Sequence, residues 1–251
     1  MPHGKLGKLP KRHDPRTINL KDYIPAGAPP IPPSVEYWQK RLSSDWKMMT
    51  NDVLGSCTIA AAGHLTMLWT TYSDEEFIPS DAQVIADYSA ITGYTPNDPS
   101  TDQGAVELDV LNYWRKPGMM GRAIEGYAAV DLSNQEQVNQ AIFLFGGIYT
   151  GFSVPASAMD QFNAGRPWDV VSNDGGSVGG HAVPVVGYDA TYLYAITWGA
   201  VQKLTWAFWN QYFDEAYSII SPYWLNKKAL TPAGFGINEL RRDLGLMGHH
   251  K

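Results

Sequence analysis

Cys57 and His181 are the side chains best placed to do chemistry in this 251-residue sequence. Cys57 is its only thiol. A lone cysteine is most often a small buried hydrophobe, but its surroundings argue for more. Gly55 and Ser56 precede it and permit a tight backbone approach, and CTIAAAGHLTMLWTTY reads as an apolar, largely buried helix starting at the cysteine. The N–H groups and dipole at a helix start favour an anion, so they stabilise the thiolate, which is the nucleophilic form. A base is then needed. His3, His13, His249 and His250 fall in the terminal segments. His64 lies seven residues along the same helix, roughly 10 Å away at 1.5 Å per residue and out of hydrogen-bond reach. His181 remains. It follows a flexible glycine-rich loop, 172–180, and opens an apolar strand. A thiolate with an imidazole base is the equipment for acyl transfer through a thioester.

Other chemistries find less support. No Cys-x-x-Cys or His-x-x-x-His spacing suggests a metal, so neither a metal nor another cofactor is expected. GGSVGG at 175–180 leads into a strand rather than a helix and is not a phosphate cradle. The net charge of −6 and the lack of a basic stripe in the body argue against nucleic acid as a partner. A lone cysteine allows no internal disulfide, no apolar run follows the basic start, and no stretch reaches about 18 apolar residues. The expectation is a cytoplasmic protein with no membrane partner.

The elements that must position the pair divide by type. Besides the helix at 57–72, helices are expected at 80–92, with Ser80 as cap and Gly93 as stop, at 104–115, and at 133–145, with Ser133 and Glu136 as a capping box. Strands are expected at 146–154, 181–189, 191–199 and 217–221, with a hairpin at Asp189-Ala190 and a short helix or turn at 205–216. Helices first and strands second imply an α+β fold of two lobes around a cleft. Residues 1–33 read as an extended, Pro-rich arm. Residues 34–225 make the main domain, helical mainly over 50–145 and β mainly over 146–225. Residues 226–251 are an extension with a helix expected at 237–246. Six Lys or Arg against one acid in residues 1–21 make the arm basic. It has the charge to dock across the acidic body, although a solvated tail is the commoner outcome.

Four motifs resemble the papain-like cysteine peptidase family. NDVLGSCTIAAA resembles its nucleophile segment, GGHAVPVVGYD its histidine strand, TWG at 197–199 its Asn-Ser-Trp-Gly segment, and DQGAVELDVLNYW its substrate-binding glycine wall. They occur in the family's order, with His181 124 residues after Cys57 and Trp198 17 residues later. The resemblance implies a papain-like two-lobed fold, with the cysteine helix against an antiparallel sheet or barrel, and hydrolysis of peptide bonds in a peptide or protein substrate. It implies that Asn51 stands where the family has its oxyanion-hole Gln, that Gln103 and Gly104 bind substrate backbone, and that Trp198 covers His181. The family's histidine-orienting Asn is absent: counting back from Trp198 gives Ile196, and counting forward from Tyr192 gives Thr197. Only a Thr hydroxyl can hydrogen-bond an imidazole, so Thr197 is the candidate. The usual disulfide partner is Leu54 here, and Thr58 replaces the Trp after the nucleophile. Two alternatives accompany this reading: a catalytically silent binding protein that kept the cleft, and an acyltransferase or amidase.

Overall fold

The computed structural model describes residues 4–24, 28–40, 45–73, 75–226, 230–236 and 238. The first long helix, α1 (Cys57–Tyr72), is buried along nearly its whole length because almost every position is apolar or small. Helices α2 (Asp81–Thr92) and α3 (Glu107–Arg115) pack beside it. Ser80 and Gln83 form a reciprocal capping box on α2, and Gly93 ends that helix in the left-handed conformation at φ 78°. The fourth helix, α4 (Gln135–Phe145), departs from expectation at its cap. Asn134 accepts the Gln137 N–H through its side chain, because the Ser133 hydroxyl donates to Asp131 two residues earlier.

The strands are β1 (Val35–Glu36), β2 (Gly126–Ala129), β3 (Ile148–Pro155), β4 (Ser177–Tyr188), β5 (Tyr192–Thr197), β6 (Ala200–Thr205) and β7 (Phe213–Ile220). They form one antiparallel sheet in the order β2-β7-β3-β4-β5-β6, with β1 added to β4. The sheet is open, not the closed barrel that remained an option in the sequence. Two short helices, α5 (Ala156–Asn163) and α6 (Trp206–Tyr212), follow strands β3 and β6. Of these elements β1, β2, β6 and α5 were not anticipated. The glycine-rich 172–180 was expected as a loop throughout, yet residues 177–180 already pair with β3. The helix expected at 237–246 lies, but for Asn238, outside the described residues.

Strand alternation gives the sheet two apolar faces and two cores. One gathers Ala182, Val186, Ile196, Tyr149 and Ile219 with α1–α3. The other gathers Val183, Val185, Ile148 and Phe152 with α4, α5 and α6. The helical side therefore presents the N-terminus of α1 to the middle of β4, the strand that carries His181.

The arm is not a solvated tail. Leu20 is buried in the second core, and Ala129 N–H donates to Ile18 O, extending the sheet edge. A three-residue 3-10 turn at Leu20–Asp22 breaks the otherwise extended course.

Candidate active site

Cys57 opens α1, and the nearby backbone N–H groups of Ala182, Gly7 and Thr58 favour its thiolate. Ala182 follows His181 on β4, so the nucleophile candidate and the histidine strand meet at that contact. Cys57 is 1% exposed. Burial pushes its thiol up to about 12, outweighing the N–H donors that favour the thiolate.

His181 is also 1% exposed. Its Nε2 shares a hydrogen bond of 2.7 Å with Thr197 Oγ1. Burial, with a smaller contribution from His64, pulls its pKa down to about 3. Its Nδ1 has no hydrogen-bond partner among the described residues. Burial therefore disfavours charge on both the thiol and the imidazole, and the two are not hydrogen-bonded to each other. The reason is water exclusion, because separating charge in a dry site is costly.

Trp198 lies flat on the imidazole, with ring centroids 4.5 Å apart and planes at 23°. Phe152 meets the same ring edge-on at 5.9 Å. Trp198 is held there by backbone geometry. Thr197 pairs with Ala200, so Trp198 and Gly199 form a two-residue hairpin with φ of 46° and 76°. Positive φ at both central positions is the signature of the turn that matches strand twist. Ile196, the other candidate for the orienting position, points into the core beside α1, as strand alternation requires. His64 serves a different role: its Nε2 engages the carbonyls of Trp46 and Lys47.

The groove between the lobes is filled by the arm. Asn51 Nδ2 donates to Lys5 O at 3.0 Å and to Leu54 O at 3.1 Å. Gly7 and Lys8 N–H both donate to Gly180 O, the residue before His181. Ala105 N–H donates to Gly7 O at 2.8 Å and Ala105 O accepts Leu9 N–H at 2.9 Å, a parallel bridge centred on Lys8. Glycines make this closeness possible. A Cβ on Gly7 would overlap the Gly55 carbonyl, one on Gly104 would overlap Gly7 O, and one on Gly4 would overlap the Trp198 indole. A surface cavity of about 460 Å³ lies further along the arm, lined by Arg12, Asn19, Asp131 and Tyr217 among others, and not beside Cys57.

The predicted backbone-binding residues divide. Gly104 supplies space, at φ 76°, and gives its N–H to the Tyr88 hydroxyl. Gln103 is exposed and donates to Ser100 O, away from the arm. The backbone pairing comes from Ala105, which sequence reasoning passed over. It also missed Asp102. That carboxylate accepts the Gly55 N–H with both oxygens at 3.1 Å and the Tyr88 hydroxyl at 2.6 Å, fastening the nucleophile loop to the glycine wall. An acid beside the glycine motif was the available signal, but nothing in the spacing tied it to residue 55.

The overall fold is shared with solved structures. Xylellain, a cysteine protease from Xylella fastidiosa, superposes with a TM-score of 0.66 over 87% of this chain and 97% of its own, at 18% identity. The fold is papain-like. The Carica candamarcensis cysteine protease CMS1MS2 gives 0.53 over 76% of this chain and 99% of its own, at 13% identity. Digestive procathepsin L 3 of Tenebrio molitor gives 0.55 over 87% and 76%, at 12% identity. No sequence-family profile and no curated protein sequence matches the chain. Among the described residues, no group of three or more His, Cys, Asp or Glu is placed to hold a metal, and no helix is long and apolar enough to cross a membrane.

Proposed function

We propose that this chain is a thiol-dependent peptidase whose cleft is held shut by its own N-terminal arm. The observation that carries the reading is Cys57 at the start of α1, its sulfur against the Ala182 N–H, beside a histidine already hydrogen-bonded to Thr197. Once the arm leaves and water enters, desolvation falls away, the thiol pKa drops and the imidazole pKa rises. The proton of Cys57 then passes to His181. The thiolate attacks a peptide carbonyl, and His181 returns the proton to the departing amine. A thioester remains on Cys57, and water hydrolyses it with His181 as base, regenerating the thiol.

Asn51 is suited to hold the developing oxyanion, because its amide already donates to a carbonyl lying in the groove. Thr197 fixes the imidazole through Nε2 and leaves Nδ1 for the proton. Trp198 keeps water from the His181–Thr197 bond. Ala105, with Gly104 giving clearance, is suited to pair with the backbone of a peptide or protein substrate. Action within the cytoplasm fits the single unpaired cysteine.

The test is hydrolysis of a panel of fluorogenic peptides by the full chain carrying Gly7→Val, whose new side chain has no room against Gly55. Cleavage that the unaltered chain lacks, and that Cys57→Ser abolishes, is the expected result. A Gly7→Val chain whose thiol is accessible yet cleaves no peptide contradicts the reading and favours the silent binding protein. Addition of an amine nucleophile to the same assay separates hydrolysis from acyl transfer.

A further inference from the structure

The arm buries a cation, the Lys8 ammonium, beside the groove. The Lys8 side chain is 1% exposed, and its Nζ lies 2.9 Å from Glu215 Oε1 and 2.9 Å from Asp214 Oδ1. Glu215 is buried at the base, where its Oε2 accepts the Tyr217 hydroxyl at 2.9 Å, and Asp214 stands half-exposed at the rim. Glu107, at the start of α3, is fully buried, and neither of its carboxylate oxygens has a hydrogen-bond partner among the described residues. A Cβ placed on Gly151 would overlap Lys8 Cε and would come within 2.5 Å of Glu107 Oε1. So the missing side chain at Gly151 is the passage through which the lysine stem enters, and Glu107 faces the same space.

An unpartnered buried carboxylate is costly unless a cation meets it. Two acids that would repel each other in an empty dry pocket are arranged around one ammonium. Burial and then Glu215 push the Glu107 carboxyl well above its ordinary range, while Lys8 lowers it again. On the other partner, burial lowers the Lys8 pKa, but Glu107 and Glu215 outweigh it, and the net direction is upward. The backbone on either side of Lys8 is meanwhile paired to Ala105, the same strand-like contact proposed for substrate.

We infer that Glu107, Glu215 and Gly151 form a side-chain subsite for a basic residue, lysine or arginine, of whatever polypeptide lies in the groove, and that Lys8 is its tethered occupant. The substrate half of this inference rests on the peptidase reading above. Its consequence is that the chain prefers peptides bearing Lys or Arg at the one position that pairs with Ala105, and that its own arm competes by offering the same side chain.

The test runs in the full chain and does not require catalysis. The rate of Cys57 alkylation by iodoacetamide reports opening of the groove. Lys8→Arg should stay within about threefold of the unaltered chain. Lys8→Leu, which keeps the backbone and fills the stem, should label at least tenfold faster. In a Glu215→Gln background the effect of Lys8→Leu should shrink to within about threefold. Slow labelling of Lys8→Leu, or a Lys8→Leu effect that Glu215→Gln leaves unchanged, overturns the subsite. Circular dichroism melting of each variant separates local opening from loss of the fold. For the substrate half, the Gly7→Val chain is given peptides differing only by Lys, Arg, Leu or Glu at each position in turn. Lys or Arg should be favoured at least tenfold over Leu at one position. Equal cleavage of the Leu peptides overturns substrate selection by this pocket, whereas a chain that opens on Lys8→Leu but cleaves no peptide counts against the peptidase reading alone.

Discussion

Asp102 accepts the Gly55 N–H through both carboxylate oxygens at 3.1 Å, two residues before the thiol. The same carboxylate accepts the Tyr88 hydroxyl, which in turn accepts the Gly104 N–H at 2.9 Å. One acid therefore sets the distance between the nucleophile loop and the opposing wall. Removing it leaves the Gly55 N–H and the Tyr88 hydroxyl proton without their acceptor. Asp102→Ala should lower stability by about 1–3 kcal/mol, as expected for losing a charged acceptor. Urea unfolding checks this, and an unchanged midpoint argues that the loop is held by other contacts.

The Thr197 hydroxyl is the one polar group bonded to the His181 ring among the described residues. If it orients the imidazole for proton transfer, Thr197→Ser should keep most of the activity of a Gly7→Val chain. Thr197→Val, of nearly the same shape, should lose about five- to tenfold in kcat, since a hydrogen bond of about 1–1.5 kcal/mol corresponds to roughly that factor. KM should change little. Equal rates for the Ser and Val variants would give Thr197 a packing role only.

Burial gives His181 a pH signature. Its folded pKa, about 3, lies below the ordinary 6.5. The neutral ring is the form the fold prefers. Its contribution to stability is complete above about 6.5 and is lost as pH falls from there toward 3. Between pH 7 and pH 4 the loss attributable to this ring is at most about 3 kcal/mol, at 1.36 kcal/mol per pKa unit. His181→Gln should flatten that part of the stability profile relative to the unaltered chain. Urea midpoints at the two pH values supply the comparison, and parallel profiles would mean that the ring is hydrated in solution.

Glycine contacts make the closed groove sensitive to a single methyl. Gly104→Ala, at positive φ and against Gly7 O, should expel the arm and raise Cys57 alkylation at least tenfold, with a further cost of about 1 kcal/mol for the strained backbone. Alkylation no faster than in the unaltered chain would mean that the wall yields instead of the arm.

Much of the frame is legible in the residues. CTIAAAGHLTMLWTTY sets α1 because its apolar run starts after Gly55-Ser56 and ends at the polar Ser73, and the structure gives Cys57–Tyr72. Ser80 and Gly93 bracket α2 as capping chemistry predicts. Strand β6 was hidden because Ala200–Thr205 carries Gln202 and Lys203 among its few apolar residues, and only pairing with β5 makes it a strand. Helix α5 is short, follows Pro155 directly and has no capping side chain to announce it. The arm left the least trace. Its contacts in the groove are mainly backbone hydrogen bonds at glycines and one lysine in an internal pocket, and neither produces a periodic pattern. Asp102 and Ala105 act through contacts with residues far away in the sequence or through their backbone, so their types alone did not mark them.

The central claim is that Cys57 becomes a nucleophile through His181 once the groove is open. The most direct measurement is the rate at which a thiolate-trapping epoxide labels Cys57 at pH 6 in the Gly7→Val chain, with and without His181→Ala. Labelling should be far faster than that of free cysteine and should fall at least a hundredfold when His181 is removed. Labelling no faster than a free thiol, and indifferent to His181, would contradict the claim.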